Sequence, residues 1–538
     1  MPLEFIALAE RVVDDLLEAS PTRAYWAGDH RFDDRLPDLS DDAVRRETAL
    51  LRRRASELEA VSPHGLDAQD DVDRQLLIAA VEARLFELTE TDERSWNPLL
   101  HNPGDLIFGL LAREVGAPEE RLTALAARLA ALPDALATAE RVLDDCPRVH
   151  VETALGQLDG TMSLVRDEVP KLLSRAPGWE ATVGPAREAA LGALAVHETF
   201  LAALLERSHR DPRLGRPLWE AKLRHSLDSD LTAGQVLDGA RAHLERATAA
   251  ITEAAAELTG SPDVAAALDL LARDHPDDHT IVARAGDTLV TATDFVQAHD
   301  LVSMPDDPIE IIAMPEYARG VAVAYCDAPG PLETRVSPTF YAISPTPADW
   351  SPDRVASFYR EYNDHMLWNL TAHEAMPGHF LQLAMARRFN GSSRVRAVCQ
   401  SGSFIEGWAV YAEELMVDLG YGGPAVRMQQ LKMFLRMTIN AILDQAVHCE
   451  GLTEAEAMRL MTSQGFQEEG EAAGKWRRAL LSSTQLSTYF VGYTEMSRIG
   501  RARPAGTTQR SWHDAMLGSG CPAPRHLAQL LGISPERR

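Results

Sequence analysis

His373-Glu374-Ala375-Met376-Pro377-Gly378-His379, continuing into Phe380-Leu381-Gln382, is the stretch on which the reading of this chain turns. Two histidines four apart on a helix, with a glutamate after the first, can hold a metal ion and act on its water. Here the second histidine comes six residues after the first. On a straight helix a residue six on is turned about 120° off the starting face and lies about 9 Å further along the axis. Pro377 changes that premise, because it removes a backbone donor and clashes with the carbonyl of His373. Gly378 tolerates backbone angles that other residues resist. The spacing therefore predicts a π-type bulge or kink at Met376–Gly378 that brings His379 back toward His373. The alternative is a helix that ends at Met376, with His379 in the next one.

A zinc site of this kind needs a third protein ligand and an open fourth position. Glu406-Gly407-Trp408-Ala409-Val410-Tyr411-Ala412-Glu413-Glu414 supplies candidates. Glu406 and Glu413 are seven apart and share a helix face, so only one can reach a given ion. Glu406 is the expected ligand, Glu413 the support for a ligand histidine, and Glu414 a solvated surface carboxylate. Further on, Asp444 and His448 share a face, so the carboxylate can orient the imidazole. His448 near a metal could stabilise an oxyanion. Tyr489 is a second candidate for that role. Arg436, Tyr493 and Tyr341 join Glu413 and Asp444 as candidate supporting or substrate-binding groups. His365, on the same expected helix as His373, reads as structural.

The composition fits a globular protein, with 45% hydrophobic and 25% charged residues. Alanine, leucine, arginine and glutamate dominate, which favours helices. Leucine, valine and isoleucine recur at three- and four-residue spacing over 41–62, 68–92, 118–145, 152–174, 183–207 and 232–258. Near residue 300 the texture changes to a proline-rich segment. It carries short β-type runs, Ile309-Glu310-Ile311-Ile312 and Val321-Ala322-Val323-Ala324-Tyr325. Helical patterns resume over 351–366, 367–388, 403–419, 425–447 and 453–464, and 500–538 reads as loosely packed. The expected fold is mainly α with a small β-containing insertion near 300–345. It has an N-terminal helical region over 1–299 and a metal-site region over 300–538, two lobes of one continuous unit.

The formal charge of −27 argues against nucleic acid, which requires a basic face, and against anionic lipid. Five widely spaced cysteines without a CxxC pair fit a reducing compartment. The N-terminal segment is amphipathic and lacks the basic start and apolar core of a signal peptide. No run of 18 apolar residues is apparent. A cytoplasmic location without membrane contact is expected. There is no GxSxG elbow, phosphate-binding loop or dinucleotide fingerprint.

These segments resemble a bacterial family catalogued as domain of unknown function 885. The resemblance rests on Ser20-Pro21-Thr22-Arg23-Ala24-Tyr25-Trp26-Ala27-Gly28-Asp29-His30, on the His373–Gln382 and Glu406–Glu413 stretches, and on the run from Arg436 through Asp444 and His448 to Gly451. The family is similar to helical metallopeptidases such as angiotensin-converting enzyme, thimet oligopeptidase and carboxypeptidase Taq. Their uninterrupted motif has a Gly-His pair that corresponds to Gly378-His379, and dipeptidyl peptidase III is a precedent with one extra residue. The resemblance implies a large helical fold around a cleft, one zinc ion on His373, His379 and Glu406, and Glu374 as base. Thr488 and Phe490 around Tyr489, and Cys449 after His448, depart from the family's usual pattern. The function expected is zinc-dependent hydrolysis of an amide bond in a peptide or small amino-acid conjugate. The rivals are a biosynthetic enzyme using the same metal site on a small metabolite, and a non-catalytic helical binding protein. Substrate and oligomeric state are not legible.

Overall fold

The computed structural model describes residues 2–113, 117–314, 319 and 322–533. Helices dominate, and one three-stranded sheet interrupts them, in agreement with the sequence pattern. Val321 of the second β-type run and the end of the tail, 534–538, lie outside the described residues.

Two compact units are present. One comprises Met1–Pro212, Gly330–Val336 and Ser392–Val398; the other comprises Arg213–Pro329, Ser337–Gly391 and Cys399–Arg538. The N-terminal segment of the first unit therefore ends at Pro212 rather than at 299, and two short later segments join it. The reason is burial: Trp219, Leu223, Val236 and Ile251 share a core with Phe434, Leu435 and Val491.

In the first unit, helices Pro118–Val142 and Glu180–Leu205 turn Leu125, Leu129, Leu132, Leu194 and Leu201 into a common core. By length and composition alone, Pro118–Val142 and Pro177–Leu205 could cross a membrane. This qualifies the expectation that no such run exists; alanine raises their hydropathy while their leucines face the core. The Ser20–His30 stretch is a local fastening. Ser20 caps the helix Pro21–Ala27 by accepting from the Arg23 amide. Gly28 ends it at a φ of 81°, and a side chain there would meet the backbone of Glu333 at 2.6 Å. His30 lies 2.8 Å from both Asp33 and Glu333.

In the second unit, β1 (Ile309–Ala313) pairs parallel with β3 (Thr339–Ile343), and β2 (Ala324–Asp327) pairs antiparallel with β3's other edge. The central strand is buried and its Tyr341 hydroxyl bonds Thr371 at 3.2 Å. The helix break expected at 366–367 falls at Tyr362–Asn363, because Asn363 accepts from the amides of His365 and Met366 and starts a new helix. Helices Arg216–Leu227, Ile281–Ala298, Glu469–Leu481 and Thr488–Arg501 carried no helical assignment from the sequence. Nor is the tail loose: Trp512, Met516, Leu517 and Leu527 are buried in the same core as Phe380, Leu381 and Trp408.

Candidate metal centre

The helix Asp364–Glu374 stops one residue after His373, and a new helix, His379–Ala386, begins at the second histidine. The link is therefore a break, not the bulge in a continuous helix that the spacing suggested. The amides of Ala375 and Met376 both donate to Thr371 O, and Pro377, after a cis peptide, has no amide proton to place. Gly378 then passes so close to the preceding turn that a Cβ would sit 1.8 Å from His373 O and 2.5 Å from Ala372 O. Only glycine fits. The indole of Trp408 donates to Pro377 O at 2.8 Å and holds the turn against the helix Gly402–Asp418.

That helix brings Glu406. Its neighbour Gly407 abuts Gly492 of the helix Thr488–Arg501, where a Cβ on either residue would meet backbone at 2.2–2.4 Å. Two glycines thus let two helix backbones touch, at the expense of helix propensity, and fix the depth at which Glu406 sits.

The two imidazoles converge with ring centroids 4.7 Å apart and planes at 85°. Glu406 Oε2 lies 3.5 Å from His373 Nε2 and 3.6 Å from His379 Nε2. One ligand atom from each of the three residues falls within 4.8 Å of the others. Zinc bonds to nitrogen and oxygen of about 2.0–2.1 Å, at a tetrahedral angle, place two ligand atoms about 3.4 Å apart. The observed gaps are too long for strong hydrogen bonds and of the size a shared cation requires. Glu406 Oε2 is buried without a hydrogen-bond partner, as is His379 Nδ1. The set fits zinc.

Behind it, His373 Nδ1 donates to Glu413 Oε1 at 2.6 Å, and Asn369 Nδ2 donates to Glu413 Oε2, also at 2.6 Å. This directs the Nδ1 proton to Glu413 and leaves Nε2, which faces Glu406, as the atom a metal ion would take. Sequence reading missed Asn369, although it stands four residues before His373 on the same helix face.

Burial opposes charge on His373, but the carboxylates of Glu406 and Glu413 outweigh it and raise its pKa well above the usual imidazole value. Burial would likewise raise Glu406, yet the two histidines hold it well below the carboxylate range. Glu374 is raised, because burial prevails over the pull of His379 and His373. The electrostatics thus favour one positive charge among these residues and a readily protonated carboxyl beside them. Tyr489 is half-buried, and the Glu406 carboxylate together with burial pushes its phenol up to about 12.

Other candidates lie in different surroundings. His448 Nε2 faces the carbonyls of Ala479 and Ser482 at 3.0 and 3.1 Å, and Nδ1 accepts from the Leu214 amide. With both ring nitrogens engaged, it has no donor left for an oxyanion. Asp444 does not orient it; the carboxylate instead accepts from Trp219 Nε1, the Thr484 and Ser487 amides and Ser487 Oγ. Arg436 is paired with Glu471 and Tyr362. Tyr341 is fully buried under the His373 helix. Tyr493 donates to Glu414, which also meets Arg501 and Ser497. Glu414 is therefore an engaged, partly buried carboxylate rather than a solvated one.

Among the solved structures that share this fold are two proteins described as provisionally assigned lipoproteins, the first of them as one of unknown function. The protein from Shewanella oneidensis is 26% identical, with a TM-score of 0.82 over 98% of this chain and 99% of its own. The protein from Colwellia psychrerythraea is 16% identical, with a TM-score of 0.82 over 98% of each chain. No functionally curated protein matches the sequence. The model for bacterial proteins of unknown function, DUF885, matches residues 21–531, nearly the whole chain, and the protein belongs to that family.

Proposed function

We propose that this protein is a zinc-dependent hydrolase that cleaves an amide bond in a peptide or small amino-acid conjugate. One observation carries the reading: His373, His379 and Glu406 meet at metal-ligand separations, and His373 is backed by a buried carboxylate. His373 Nε2, His379 and Glu406 would hold the ion. When bound, zinc supplies a Lewis acid and lowers the pKa of a coordinated water.

The chain's own groups perform the proton work. Glu374, with its raised pKa, takes a proton from the attacking water and passes it to the leaving amine. Glu413 and Asn369 hold the His373 ring in one tautomer throughout. Tyr489, still protonated at neutral pH, donates toward the oxygen on which charge develops. This moves the electrophilic role from His448 to the tyrosine.

The test is zinc quantification on purified protein with a screen of dipeptides and acylated amino acids, repeated for Glu374→Gln. The variant is expected to keep stoichiometric zinc and lose about 10²–10⁴ in kcat. An unchanged rate would remove Glu374 from the chemistry. Well-folded protein that takes up no zinc would remove the metal.

A further inference from the structure

A cavity of about 670 Å³ opens in the second unit between the helices Ala233–Thr259, Gly402–Asp418, Gly423–Glu450 and Thr488–Arg501. None of His373, His379 or Glu406 lines it. Its volume is that of a small-molecule site. We infer that it binds a short apolar peptide with free termini, at a place separate from the metal centre.

The inner wall presents a matched donor and acceptor. The amide nitrogen of Gln430, a residue only 3% exposed, is buried without a hydrogen-bond partner. A buried donor left unpaired is costly, and a ligand carbonyl would satisfy it. His243, also buried, supplies the acceptor. The Thr438 hydroxyl donates to Phe434 O, so its oxygen must accept from His243 Nδ1 at 2.8 Å. Burial lowers the His243 pKa to about 4, so the ring is neutral and Nε2 carries a lone pair. One carbonyl acceptor and one N–H donor are what a peptide bond offers. Around them Leu431, Phe434 and Phe490 give an apolar bed.

The rim explains the termini. Among the described residues, Arg246 and Arg427 are exposed there with no carboxylate partner, and Asp238 and Asp418 are exposed there with no basic partner. One acid and one base, Asp238 and Arg246, belong to the helix Ala233–Thr259; the other two, Asp418 and Arg427, belong to Gly402–Asp418 and Gly423–Glu450. A zwitterion engages both kinds, whereas a simple anion would leave the acids opposed to it. Glu414 is already neutralised by Arg501 and Tyr493.

The experiment is calorimetric titration of Leu-Phe, and of the same dipeptide acetylated and amidated, into the Glu374→Gln protein so that no probe is consumed. Leu-Phe is expected to bind one site outside the metal centre. Capping both ends, or the double substitution Arg246→Gln/Arg427→Gln, should weaken it about tenfold or more, and Ala250→Phe should abolish it by filling the cavity. Binding to His379→Ala should be unchanged. Equal binding of free and capped peptide, insensitivity to the rim variant, or no binding to folded protein would overturn the inference. Loss in His379→Ala alone would place the peptide at the metal centre, which supports the proposed function while removing the cavity site. If Ala250→Phe does not fold, the rim variant, altered only at exposed positions, still decides.

Discussion

Replacing Gly378 by alanine tests the geometry of the centre most directly. The added carbon would stand 1.8 Å from His373 O, 2.4 Å from His373 C and 2.5 Å from Ala372 O, all of them backbone. No side chain can swing aside, so the turn must open by about 1 Å or more. Gly378 has a φ of −72°, so the penalty is steric and not a left-handed conformation. Overpacking a core commonly costs about 1–3 kcal/mol, and with backbone on both sides the expected loss is about 3 kcal/mol or more. The same movement carries His379 away from His373 and Glu406, so zinc affinity should fall about 100-fold. Urea denaturation reads the first effect and competition with a chromophoric chelator the second. Gly192→Ala is the control. That glycine is exposed on a helix, with nothing within 4 Å of the place an added methyl would take, and the change should stabilise by about 0.5–1 kcal/mol. A Gly378→Ala protein that unfolds and binds zinc like the wild type would refute the claim that this close crossing builds the site.

Three further outcomes follow from the same structure. Glu413→Gln should weaken zinc about 10–100-fold in chelator competition, because His373 loses the carboxylate that fixes its tautomer; equal affinity would show that Glu413 only packs. Gly407→Ala should destabilise by about 2 kcal/mol or more in urea, since its methyl would meet Gly492 backbone at 2.4 Å; a neutral result would mean that the two helices can separate cheaply. His30 is raised to about 9 by its hydrogen bond to Asp33, against burial and with help from Glu333. A raised folded value stabilises fully below about pH 6.5 and loses that contribution as pH climbs through 9. The ring is partly exposed, so after screening His30→Gln should cost about 1 kcal/mol at pH 6 and little at pH 9.5, as read by thermal melts at the two values; a pH-independent difference would contradict the pairing.

Much of this was written locally. Leucine periodicity marked the long helices of the first unit, and the short aliphatic runs marked β1 and the first half of β2. The residues His373, His379 and Glu406 could be named from types and spacing, because metal chemistry admits few side chains. Glu413 could be assigned to support from its seven-residue offset. What failed were inferences that needed a neighbour's position. The Asp444–His448 spacing is a sound helix pair, yet each side chain found other partners first: an indole and two amides for the aspartate, backbone carbonyls for the histidine. Glu414 looked solvated because its partners, Tyr493 and Arg501, lie some eighty residues later.

The sequence by itself determined the menu: a mainly helical chain, three ligand-type residues, and a proline–glycine pair that forbids a straight helix between two histidines. Only the tertiary structure decided how that interruption is resolved. Proline removes a donor and glycine permits a close crossing, but neither says where the next helix points. That direction is set by Trp408 holding Pro377 O and by the Gly407–Gly492 contact that seats Glu406. Convergence of the three ligands is a property of packing between distant segments, and no local rule of spacing contains it.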